Sequence, residues 1–211
     1  MKQAKLLAFL WVSAQFTLCN TNAVAGDIGV GVEIPSPDRK FMVQVTDHYG
    51  LIIKDILTSG VDASIKLLPL LQPLKWTGDS KTIVAITHIA GGSNLVLIHP
   101  NNGQWKGFVP TPPMPDSDKG NFVNCGVIKI EIGIRDVKVS YRIISQKLGK
   151  DYKDNFYISS FTVNPESGDQ SQLDIHEIDS GAYNNLKHDS GAEVISSWEQ
   201  AGNKLPPPDK K

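Results

Sequence analysis

Pro37-Asp38-Arg39-Lys40-Phe41-Met42-Val43-Gln44-Val45-Thr46 can be laid on Gly78-Asp79-Ser80-Lys81-Thr82-Ile83-Val84-Ala85-Ile86-Thr87, a shift of 41 residues. Asp38 then meets Asp79, Lys40 meets Lys81, Val43 meets Val84 and Val45 meets Ile86. Each copy opens on an aspartate turn and enters a β-branched run with partial period-2 alternation, the pattern of a strand. Past the next turn, Leu51 meets Leu95 and Ile53 meets Leu97 at a shift of 44. The second hairpin therefore carries three extra residues, which the alignment assigns to its loop.

Working outward, Val127 to Ile132 and Val137 to Ile143 alternate more cleanly, with Arg135-Asp136 as the turn between them. A further strand pattern covers Leu173 to Ile178, and Ala192 to Gln200 reads as a short helix after Ser190-Gly191. Short strands at short spacing, punctuated by Gly, Asp and Asn, predict an all-β domain of mostly antiparallel sheet with little helix. A period near 40 with an Asp turn and two strands is the signature of a propeller-type blade. Ser36-Pro37-Asp38-Arg39-Lys40 and Trp76-Thr77-Gly78-Asp79-Ser80-Lys81 resemble the turn that opens blades of TolB-like propeller repeats, usually Trp-Ser-Pro-Asp-Gly-Lys. The resemblance covers residues 34–108 and implies two blade-like hairpin units. It departs from the motif where Arg39 and Ser80 replace the glycine. No third copy follows Trp105, and four blades would nearly exhaust the chain. The expectation is a single β-rich domain with two blade-like units, not a complete propeller.

The first residues read as an address. Lys2 and Lys5 precede an apolar run from Leu6 to Leu18, and Ala23-Val24-Ala25 precedes Gly26. That order is a secretory leader, residues 1–25, and it places the protein in the periplasm or outside the cell of a bacterium. The run is shorter than the roughly 20 apolar residues of a membrane span. A domain from 26 to 204 and a flexible tail from 205 to 211 complete the division. Removing Lys2 and Lys5 moves the net charge from −1 to about −3. No basic cluster with interleaved aromatics suggests nucleic acid, and no basic amphipathic helix suggests a membrane surface. Cys19 leaves with the leader, so Cys125 has no intrachain partner and reads as a buried, inert thiol.

Functional signals are sparse. His48, His88, His99, His176 and His188 lack zinc spacing, and Asp116-x-Asp118-x-Gly120 lacks the remaining ligands of a calcium loop. The sequence therefore predicts no metal and no cofactor, and reads that acidic stretch as a solvated turn. Pro110 to Gly120 is proline-rich and reads as a connector, since proline cannot donate to a sheet ladder. No Gly-x-Ser-x-Gly elbow or Ser-x-x-Lys tetrad occurs. Trp76 and Trp105 read as core anchors at strand ends. The best candidate is the loop His88 to Asn94, with His88, Gly91, Gly92, Ser93 and Asn94 as binding residues. Its glycines permit unusual backbone geometry and its polar tips can make contacts. A plain hairpin loop whose glycines merely turn the chain is the competing reading. The function expected is an exported binding or inhibitor module that contacts another protein. The alternative is an exported hydrolase assembled from distant residues, such as His88 with Asp47 or Asp79.

Overall fold

A computed structural model describes residues 30–47, 50–66, 70–89, 92–118, 121–147, 153–188 and 191–200. The expected leader and tail, with His48 and Gly91, lie outside them. The described residues form three sheets. The first comprises β1 (Glu33–Pro35), β2 (Phe41–Asp47), β3 (Gly50–Asp55) and β4 (Val61–Lys66), in that order. The second repeats the pattern with β5 (Leu70–Trp76), β6 (Ile83–Ile89), β7 (Gly92–Asn101) and β8 (Gln104–Phe108). The third contains β9 (Phe122–Ile132), β10 (Val137–Lys147), β11 (Lys153–Val163), β12 (Gln170–Ile178) and β13 (Glu193–Ser196), ordered β12-β11-β10-β9-β13. All pairings are antiparallel except β13 with β9. This is a mostly antiparallel all-β structure, as its patterning predicts.

The second sheet is the middle layer. Ile83, Val84, Ala85 and Ile86 are fully buried, and Leu95, Leu97 and Ile98 opposite them are too. A strand apolar on both faces needs a partner on each. Ile83, Ala85, Val96 and Ile98 pack with Val43, Val45, Leu51 and Ile53 of the first sheet. Val84, Ile86, Leu95 and Leu97 pack with Ile130, Val139, Tyr141 and Phe161 of the third. The first sheet's other face carries Gln44 and the ion pair of Lys54 with Glu33, 4.0 Å, beside half-buried Met42 and Ile52. Polar groups of this kind suit a solvated face, so this sheet forms an outer layer of the stack.

The two aspartate turns are copies in atomic detail. Ser36 Oγ donates to Asp38 Oδ1 (2.7 Å) and Thr77 Oγ1 to Asp79 Oδ1 (2.8 Å). Lys40 and Lys81 donate their backbone N–H to the same carboxylates, each at 3.1 Å. Arg39 and Ser80 occupy φ +58° and +65°, the left-handed geometry for which the resembled repeat uses glycine. The turns also bond to their neighbours in the stack. Asp38 N–H donates to Ser80 Oγ (2.9 Å), and Gly78 and Asp79 donate to the carbonyls of Gly133 and Ile134 in the β9–β10 turn. Trp76 is buried and its Nε1 donates to the Ile34 carbonyl, while Trp105 packs edge-on against both Trp76 and Phe41. Both tryptophans thus join the first two sheets.

Two details differ from the sequence reading. The three extra residues of the second hairpin lengthen its ladder, since Thr87↔Asn94, His88↔Ser93 and Ile89↔Gly92 are paired. Ala192 to Gln200 is not one helix: Glu193–Ser196 is a strand and only Ser197–Gln200 turns helical. The free edge of β9 accounts for this, because Val194 and Ile195 complete its ladder. A six-residue helix, Ser180–Asn185, follows β12 and is capped by Asp179, whose side chain accepts from Ala182 N–H.

Glycine substitution should act oppositely at the two equivalent turn positions. Arg39→Gly relieves left-handed strain and is expected to raise stability by up to ~1 kcal/mol. Ser80→Gly also removes the acceptor for Asp38 N–H and is expected to lose about 1 kcal/mol. Urea unfolding of both variants measures the signs.

Candidate functional site

The β6–β7 hairpin outruns its neighbour. β8 pairs only with Leu97 to Asn101, leaving the start of β7 with an edge that β8 does not cover. The third sheet lies along that edge and exchanges hydrogen bonds with it. Leu95 N–H donates to Tyr141 Oη (2.8 Å), and Ser93 Oγ accepts from Val127 N–H (2.9 Å). Tyr141 is completely buried, and that burial pushes its hydroxyl far above the ordinary value. Cys125 Sγ, half-buried, lies 3.4 Å from Asn94 Oδ1 and 3.8 Å from the Ser93 carbonyl. Gly92 approaches β9 so closely that a Cβ there would strike the Cys125 carbonyl. Its glycine is therefore required by close approach and not by positive φ.

The candidate loop is thus mostly ladder. Gly92 and Ser93 are buried, and His88 and Asn94 are half-buried. Ala90 lies outside the described residues together with Gly91. His88 Nδ1 is buried and has no hydrogen-bond partner among the described residues. Asp79 cannot pair with it, because the turn and His88 lie near opposite ends of β6, separated by roughly 17–20 Å at about 3.3 Å per residue. Asp79 is in any case held by Thr77 and the Lys81 N–H.

A second polar group shares this end of the third sheet. Along β10 the inward positions read Val137, Val139, Tyr141, Ile143 and then Ser145. On β11 they read Val163, Phe161, Ser159, Tyr157 and Asn155. Register places Tyr157 and Cys125 beside Ile143, and Asn155 and Val123 beside Ser145. Over these polar positions lies Asp118, which ends a one-turn 3-10 helix and is 4% exposed. Asn155 Nδ2 reaches both its oxygens (3.4 and 3.3 Å), and Ser117 Oγ donates at 3.2 Å. Nearby, Asn121 Nδ2 donates to Ser145 Oγ (3.1 Å) and Ser159 Oγ to the Pro113 carbonyl (2.9 Å). Residues 110–118 therefore form a strap tied across the sheet, and Asp118 is not a solvated acid.

Burial alone would raise the Asp118 pKa, but hydrogen bonds from Ser145, Asn155, Tyr157 and Ser117 hold it below its usual 3.8. Burial and the neighbouring Asp118 push Tyr157 up to about 12. The described residues contain no group of three His, Cys, Asp or Glu suited to a metal ion. Sequence reading missed the Asp118 group. Its signal was the persistence of the strand period while the inward residues changed from apolar to Ser145, Asn155 and Ser159.

No family model matches the chain, and no curated protein matches it. Among solved structures it is similar to dihydro-heme d1 dehydrogenase NirN in complex with DHE. That match has 14% identity and a TM-score of 0.36, covering 71% of this chain and 37% of that one. It is also similar to the Myceliophteria thermophila Cps50 (Swd1) β-propeller domain. Here identity is 9% and the TM-score 0.36, covering 72% of this chain and 60% of that one. The chain spans less than two thirds of the length of either. Both are β-propeller structures, and no function passes from them to this chain.

Asp118→Asn tests the buried carboxylate. An acid with a lowered native pKa stabilises the fold above its unfolded value and loses that contribution as pH falls through the native value. The variant should be about 1–3 kcal/mol less stable at neutral pH. Its deficit should shrink below about pH 4, read from urea unfolding of both proteins across the range.

Proposed function

We propose that this chain is an exported binding module that contacts another protein with the tip of the β6–β7 hairpin. The observation that supports this reading is the anchoring of β7 next to the tip. Ser93–Val127, Leu95–Tyr141 and the Gly92 contact with Cys125 hold β7 against the third sheet. His88 and Asn94 stay partly exposed just behind the turn. A recognition element held in place before binding loses less conformational freedom when it binds. The leader-like order of residues 1–25 supports export, and no helix among the described residues is long and apolar enough to cross a membrane.

The test begins with the protein purified from a bacterial periplasm. Intact mass should place its first residue at Gly26, and retention of Met1 would overturn export. Against a co-purified partner, His88→Ala and Asn94→Ala should each weaken binding about 5- to 150-fold, a loss of about 1–3 kcal/mol. Unchanged affinity in both variants would remove the contact from the tip. Ser93→Ala serves a different purpose: it leaves Val127 N–H without its acceptor and should lower stability rather than affinity.

A further inference from the structure

β12 ends the third sheet, and no described element lies along its outer side. At nine residues it is longer than the other terminal strands, β1, β4, β5, β8 and β13. Seven of the nine are exposed, including Leu173 at 51%. A terminal strand presents unpaired backbone N–H and carbonyl groups along one side, which is a template for a further strand. Leu173 is the extra residue of a bulge, since Ser160 pairs with Asp174 and Phe161 with Gln172.

The charge along this edge is one-sided. Between Lys153 and Lys187 the chain has six acids and no lysine or arginine. Asp169, Asp174, Glu177 and Asp179 lie on β12 or adjoin its ends, and the nearby His176 Nδ1 is 2.7 Å from Asp174. Full-length antiparallel pairing of two copies would set Asp174 opposite its own copy, and like charges directly opposite are destabilising. The same acids attract a cationic strand.

We propose that the outer edge of β12 docks an extended lysine- or arginine-rich segment of a partner protein, added to the third sheet as a further strand. Backbone hydrogen bonds supply the attachment, and Asp174 on one face of the strand and Glu177 on the other select the charge of the incoming segment. The acids disfavour a second copy of β12 in full-length pairing. This surface is independent of the hairpin tip, and neither reading requires the other.

A nine-residue capped peptide of lysine and threonine, with threonine at its centre and lysines on both faces, titrated by calorimetry, is the probe. Controls replace lysine by glutamate, or the central threonine by proline, which cannot complete a strand ladder. The lysine peptide should bind and slow amide exchange within residues 170–178. The glutamate and proline peptides should not bind. Asp174→Lys/Glu177→Lys, both at exposed positions, should keep the circular dichroism of the parent and weaken the lysine peptide about tenfold or more. The proposal is overturned if the lysine peptide fails to bind or the proline peptide binds equally well, the latter meaning adhesion by charge alone. Dimerisation through β12 in sedimentation would also overturn it, because the edge would then belong to a second copy.

Discussion

Ile83 to Ile86 can all be buried only because a sheet lies on each side of the strand that carries them. Alternate side chains of one strand point in opposite directions, so a run with no polar position demands two apolar partners. The first and third sheets supply them. A fully buried isoleucine or leucine contributes about 1.5–3 kcal/mol, which makes this middle layer the main source of cohesion. The rest of the architecture follows: an outer blade-like sheet with a polar far side, and a longer sheet of different topology on the inner side.

Stacking of this kind leaves backbone groups to satisfy where the layers differ in size. β7 is longer than β8: on its uncovered edge Tyr141 Oη takes the Leu95 N–H, and the Ser93 side chain in turn takes the Val127 N–H of the bulged strand β9. At the opposite end the layers are joined by turns. Ser80 takes the Asp38 N–H, and the β9–β10 turn takes those of Gly78 and Asp79. The non-glycine residues in left-handed geometry have an explanation at one of the two copies. Ser80 accepts a hydrogen bond that glycine could not, whereas Arg39 has no such role in the turn.

The polar residues at the hairpin end are bound into the same framework. Asp118, Ser145, Asn155 and Tyr157 replace apolar packing where the strap crosses the third sheet, and Ser93 and Cys125 occupy the seam beside it. Buried polar groups demand complete hydrogen bonding, so most of this chemistry holds the fold. What remains for recognition is a narrow set of half-exposed groups at the tip, carried on a support with little freedom to move.

Local pattern alone determined that this chain makes β structure, that its two aspartate turns are equivalent, and that hairpins follow each. Those features depend on neighbours within a few residues, and period-2 alternation and turn chemistry record them directly. The candidate site was legible only as a place. His88 to Asn94 was marked by its glycines and polar residues, but Gly92 and Ser93 face a strand more than thirty positions away. Asp118 looked solvated because its partners, Ser145, Asn155 and Tyr157, arrive from two later strands. Ala192 to Gln200 looked helical until the edge of β9 offered Val194 and Ile195 a ladder. Tertiary structure decided which polar groups were buried, because burial and hydrogen bonding at these positions depend on register between distant strands, and local sequence does not encode that register.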